Sequence, residues 1–96
     1  MKNFIAMHTF YSEESKKACF EAMGSMDESE IAAAMTGQQA ACQMTWHDGG
    51  AGMEMVCWWK AVSADAIIEQ IGGMNDFFAT DCKELDHIMD FDAMRG

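Results

Sequence analysis

Residues 4–11, FIAMHTFY, alternate in direction without alternating in polarity. Phe4, Ala6, His8 and Phe10 point one way; Ile5, Met7, Thr9 and Tyr11 point the other. Both faces of the predicted strand are largely apolar, which places it in the middle of a sheet. The period then changes. Ser12 is positioned to cap a helix, with Glu13 and Glu14 in the first turn, where carboxylates complement the helix dipole. Cys19, Ala22, Met23 and Met26 recur at helical spacing, and Gly24 weakens the end. Asp27 and Glu30 have the spacing of a capping box ahead of Ile31 and three alanines, and Gly37 stops that run. Residues 12–36 are therefore expected to form helix in two pieces.

Residues 40–47 and 53–61 read as two strands joined through Asp48-Gly49-Gly50-Ala51. A two-residue turn at the glycines, which tolerate positive φ, predicts Trp46 opposite Met53, Met44 opposite Met55 and Cys42 opposite Cys57. In that register Cys42, Met44, Trp46, Met53, Met55, Cys57 and Trp59 share one apolar face. Gln43, Thr45, His47, Glu54, Val56, Trp58 and Lys60 share the other. Gly52 permits a longer loop, and a slip of one residue would exchange the faces of one strand. Ser63 is placed to cap a third helix over residues 64–71, with Ile67, Ile68 and Ile71 as its buried stripe and Gly72-Gly73 as its end. Residues 74–79 form a link or a further helical turn. Residues 82–91 alternate again, with Leu85, His87, Met89 and Phe91 opposite Glu84, Asp86 and Asp90. That pattern predicts a last strand with one wet face.

The order strand, helix, strand, strand, helix, strand predicts an α+β domain of the ferredoxin-like βαββαβ kind, a four-stranded antiparallel sheet with helices on one face. The second face is too apolar to be left in water, and a second copy of the chain is its simplest cover. With 96 residues, one domain over residues 1–96 is expected. Sixteen acidic residues against 6 basic ones give a net charge of -10. So acidic a surface repels phosphate backbones and anionic lipids, so neither nucleic acid nor membrane is expected as a partner. No run approaches the ~20 apolar residues that span a bilayer. The segment MKNFIAMHTFY has no signal-peptide pattern, which predicts the cytoplasm and reduced thiols. Cys19, Cys42, Cys57 and Cys82 form no CxxC pair and no zinc spacing. Neither metal nor cofactor is expected, and the cysteines read as small buried hydrophobes. The 11 methionines suit adaptable apolar surfaces, and proline is absent.

The stretches FIAMHTFYSEES, CQMTWHDGGAGMEMVCWWKAVSADAIIEQIGG and FFATDCKELDHIMDF cover nearly the whole chain. In element order and texture they resemble the dimeric α/β barrel superfamily, and within it small members known from marine sequence surveys. The resemblance implies two ferredoxin-like subunits packed sheet to sheet. That superfamily includes haem-degrading and cofactor-free monooxygenases, isomerases and peroxidases. Its haem-degrading branch uses an Asn near the first strand, a Trp on the sheet and a His on the second main helix. Asn3 and Trp58 or Trp59 match the first two, but residues 64–71 hold no histidine, so no haem role is carried over.

His8, His47 and His87 lie in three different strand-like runs. If they share one sheet face, three imidazoles converge as acid–base groups. Glu54, between apolar neighbours, is a candidate general base. The adjacent Trp58 and Trp59 must face opposite sides of their strand, so one is core and the other faces the second sheet surface. A small hydrophobic ligand, such as an acyl chain, is expected between sheet and dimer interface. Its expected contacts are Trp58, Phe10, Gln43, Thr45, Val56 and His87. The alternatives are a cofactor-free monooxygenase or isomerase using the histidines, and a structural or regulatory dimer with a filled interface.

Overall fold

A computed structural model describes residues 1–96. In chain order the elements are β1 (Lys2–Phe10), α1 (Glu13–Gly24), α2 (Glu28–Ala34), β2 (Ala40–Trp46), β3 (Glu54–Ala61), α3 (Ala64–Ile71), a 3-10 turn (Gly72–Asp76), β4 (Phe78–Glu84) and α4 (Phe91–Arg95). The helix starts follow the capping residues. Ser12 accepts from Ser15 N–H, and Ser63 accepts from Ala66 N–H. Asp27 and Glu30 close a reciprocal capping box. Each satisfies a backbone donor that the first turn leaves without a partner. Gly72, at φ 61°, ends α3 in a conformation that an L side chain rarely adopts.

The four strands form one sheet in the order β2-β3-β1-β4, and every neighbouring pair is antiparallel. β1 and β2 therefore run parallel with β3 between them, and β3 and β4 run parallel with β1 between them. The molecule is an α+β domain in which the two central strands are distant in sequence. Phe4, Ala6, His8 and Phe10 of β1 and Met55, Cys57, Trp59 and Ala61 of β3 are buried on one face. Cys19 of α1 and Ala66, Ile67 and Ile71 of α3 join them in one core. Ile5, Met7, Val56 and Trp58 lie on the opposite, open face and are half-buried.

Three features differ from the expected pattern. The hairpin loop is longer than two residues, although Gly49 and Gly50 do take positive φ, 76° and 92°. At Gly50 an added Cβ would also meet the Phe20 ring at 3.4 Å. Lys16 holds this loop down by donating to the carbonyls of Gly50 (2.6 Å) and Gly52 (3.1 Å). The register also moves: Trp46 faces Val56, Met44 faces Trp58, Thr45 faces Cys57 and Cys42 faces Trp59, with a bulge between Cys42 and Met44. A bulge sets two residues against one, so residues beyond it change face. Met44 and Trp46 turn to the open face, while Thr45 joins Cys42 on the helix-covered face. Finally, β4 begins at Phe78 and ends at Glu84. Phe78, Thr80 and Cys82 face the core, paired with Phe10, His8 and Ala6. Residues 85–90 alternate in sequence but lie beyond the last paired position, so no neighbouring strand holds them extended. No helix is long and apolar enough to cross a membrane.

Ile67 is fully buried in the core, whereas Val62 is half exposed. Ile67→Ala is expected to cost about 3 kcal/mol in urea unfolding, and Val62→Ala less than about 0.5 kcal/mol. Equal losses would contradict the placement of the core under α3.

Candidate functional site

The sheet has a concavity on each face. On the open face, Asn3, Phe4, Ile5, Trp46, Trp58, Leu85, His87 and Ile88 line a cleft of about 310 Å³. Its floor comes from the ends of three strands. The Trp58 indole N–H donates to Asn3 Oδ1 at 2.9 Å, and Lys60 Nζ stands 5.9 Å from the ring centroid. The bulge brings Trp46 to the same face. The wall comes from the segment after β4, which is tied to the start of β1. Leu85 N–H donates to the Asn3 carbonyl (2.9 Å), and Asn3 N–H donates to Asp86 Oδ1 (3.2 Å). The bond from Asn3 N–H holds the Asp86 carboxyl below its ordinary range, helped by Glu84 and the Lys2 charge. His87 and Ile88 follow directly and close the cleft.

Under the helices is a smaller cavity of about 90 Å³, lined mainly by apolar side chains of Met23, Met26, Met35, Ile71 and Met74 with His8, Thr45, Cys57 and Trp59. That is room for a few waters and not for an acyl chain. His8 is 2 % exposed. Its Nδ1 lies 2.8 Å from Thr80 Oγ1 and its Nε2 3.2 Å from Cys57 Sγ, and its ring packs on Phe78 at 4.6 Å. With no carboxylate among these neighbours, desolvation lowers the His8 pKa to about 4, so the ring is neutral. The indole N–H of Trp59, 1 % exposed, has no hydrogen-bond partner.

The three histidines do not converge. His8 is under the helices and His87 is on the open face. His47 sits in the hairpin loop, where its Nδ1 accepts from Gly49 N–H (3.0 Å) and its ring lies tilted against Phe20, with centroids 5.3 Å apart. Glu54 is exposed at the start of β3, opposite Thr9. Among the expected ligand contacts, Trp58, Val56 and His87 share the open side. Phe10 is core, packed on Phe20 and Phe78, and Thr45 faces the helices, 3.1 Å from Cys57 Sγ. Gln43 is the extra residue of the bulge and is exposed. Sequence reasoning missed Ile5, Trp46, Leu85 and Ile88 as cleft walls. The signal for the last two was the apolar content of LDHIMDF outside any paired strand. Nothing in the sequence marks the bulge that turns Trp46. No three His, Cys, Asp or Glu side chains are gathered as a metal-binding group.

No protein-family model, curated protein or solved structure matches the chain. The functional reading therefore rests on the geometry of these two concavities.

The lowered His8 pKa has a definite sign in stability. The unfolded chain binds a proton near pH 6.5 that the folded chain refuses until about pH 4. Stability is full above the unfolded value and falls as the pH drops through this window, by about 3 kcal/mol at most. Urea titrations across the window should show this fall in the native protein and a much flatter profile in His8→Gln. A native profile that is flat until the carboxylates titrate would contradict the buried neutral imidazole.

Proposed function

We propose that the chain is a ferredoxin-like subunit of the dimeric α/β barrel kind, paired through its open sheet faces, and that the pair holds a small apolar molecule of the acyl-chain class. The single observation that carries this reading is the cleft around Trp58. Its 310 Å³ falls at the lower end of ligand-site volumes, roughly 300–1,000 Å³, and it is apolar with two polar groups, Asn3 and His87, at its edge. The interleaved strand order, with β1 and β3 central, supports the fold half of the reading.

The need for a cover supports the dimer half. Met44, Trp46, Leu85, Ile88, Met89, Phe91 and Met94 are all about half exposed or more. They belong to the open face of β2 and to the segment that follows β4. Exposed apolar side chains of this number, with charged residues such as Asp81, Lys83 and Glu54 on the same side of the sheet, favour an interface. A second copy would bring the same patch and the same cleft, as two-fold pairing requires. Asn3 and His87 would then orient the polar end of a ligand whose chain lies over Trp58 and Ile5.

A second reading, a cofactor-free oxygenase or isomerase, is favoured by one observation: Asn3, Trp58 and His87 meet in the same cleft. His87 would serve as its acid–base group. A substrate screen in which His87→Ala keeps full turnover would remove it.

Native mass spectrometry of gently purified protein should give a dimer carrying an adduct that is lost on activation. Trp58→Ala should weaken Nile red binding about tenfold, which corresponds to about 1.4 kcal/mol of lost contact. A monomer that binds no probe would contradict both halves of the reading.

A further inference from the structure

The bulge at Gln43 has a chemical consequence on the helix-covered face. It brings Cys42 and Thr45 to the same side of β2, although residues three apart in a regular strand point oppositely. Thr45 lies opposite Cys57, and its Oγ1 is 3.1 Å from Cys57 Sγ and 3.6 Å from Cys42 Sγ. His8 Nε2 touches Cys57 from the other side at 3.2 Å. Thr80, His8, Cys57, Thr45 and Cys42 thus form a continuous polar chain from the interior to β2, which is an edge strand. Cys42 is half-buried there, and Cys57 is buried.

We propose that Cys42 and Cys57 are an oxidisable pair, with Cys42 attacking a small peroxide and Cys57 resolving the product to an intramolecular disulfide. In the first step the Cys42 thiolate attacks one peroxide oxygen. An S–O bond forms, the O–O bond breaks, and the departing hydroxide takes the proton that Cys42 released on ionising. Cys42 is left as a sulfenic acid. In the second step the Cys57 sulfur attacks the Cys42 sulfur. The S–S bond forms, the S–O bond breaks, and hydroxide leaves with the Cys57 proton as water. Two thiols and one peroxide give one disulfide and two waters; the sulfurs lose two electrons and the peroxide gains them.

The surroundings assign the two roles. Thr45 Oγ1 stands between the two sulfurs, and the Met44 carbonyl lies 3.6 Å from Cys42 Sγ. Donation from Cys57 is the main reason why the Cys42 pKa falls to about 7, against the opposing effect of burial. Cys57 is pushed up correspondingly, first by the Cys42 thiolate that holds its proton and then by burial. It stays a thiol until Cys42 has reacted. With Nε2 carrying the ring proton, neutral His8 donates to the Cys57 sulfur and steadies the charge that develops as it attacks. The groups facing the two sulfurs are Thr45, His8, Trp59 and the Met44 carbonyl, none of them ionised. Cys19 is on the buried side of α1, where burial raises its thiol, and Cys82 is raised by burial and the Asp81 charge. Neither competes as a nucleophile.

Iodoacetamide labelling of the native protein through a pH series, read peptide by peptide, should show Cys42 reacting first with a midpoint near 7. One equivalent of hydrogen peroxide should give a monomer lighter by two hydrogens, with the bond mapped to Cys42 and Cys57. Cys57→Ser should keep the peroxide reaction but stop at a sulfenic acid trapped by dimedone. Cys42→Ser should react about tenfold more slowly or worse. If either variant fails to fold, labelling and peptide mapping of the native chain decide alone. A Cys42 no faster than Cys82, a disulfide mapped to any other pair or between chains, or overoxidation of Cys42 without a disulfide would overturn the proposal.

Discussion

A sheet covered by helices on one side only must do something with its other side. Here β1 and β3 occupy the centre of the sheet, and both carry apolar side chains on both faces. Burying Phe4, Ala6, Trp59 and Cys57 under α1 and α3 necessarily presents Ile5, Met7, Val56 and Trp58 on the reverse, because adjacent residues of a strand point oppositely. The apolar open face is thus the geometric counterpart of the core. The cleft, the exposed segment after β4 and the proposed pairing of copies all follow from it.

The bulge at Gln43 distributes chemistry between the two faces. Without it, Met44 and Trp46 would add to the helix-covered side and Thr45 would face outward. With it, the open face gains an aromatic wall beside Trp58, and the inner face gains a hydroxyl between two sulfurs. One inserted residue therefore shapes both the proposed ligand cleft and the proposed thiol pair. The two remain separable, since one lies on each side of the sheet.

The helices were legible because their determinants are local. Ser12, Asp27 with Glu30, and Ser63 cap at the positions the sequence suggests, and α3 spans the predicted residues. The alternation of β1 was equally readable, since each side chain's direction depends only on its own strand. Pairing was harder to read. The offset of β2 against β3 depends on a seven-residue loop pinned by Lys16 and on a bulge without a sequence marker. The last strand was displaced because Leu85, His87 and Met89 alternate, whereas β4 is selected by contact of Phe78, Thr80 and Cys82 with β1. The histidines show the same limit. Each is in or near a strand, but His8 faces the helices through the β1 register, whereas His87 reaches the open face from the unpaired segment after β4. The cleft was readable only in Trp58 and His87, because Trp46 reaches it through the bulge and Leu85 and Ile88 belong to a segment outside the sheet.

Hydroxyl-radical footprinting tests most directly whether the open face is covered in solution. Met44 and Trp46, 54 % and 52 % exposed in the single chain, should be protected well below Tyr11, which has 62 % exposure. Protection that weakens on dilution would tie the cover to a second copy. Oxidation of Met44 and Trp46 at the rates their single-chain exposure sets, at every concentration, would contradict the paired, covered sheet on which the functional reading depends.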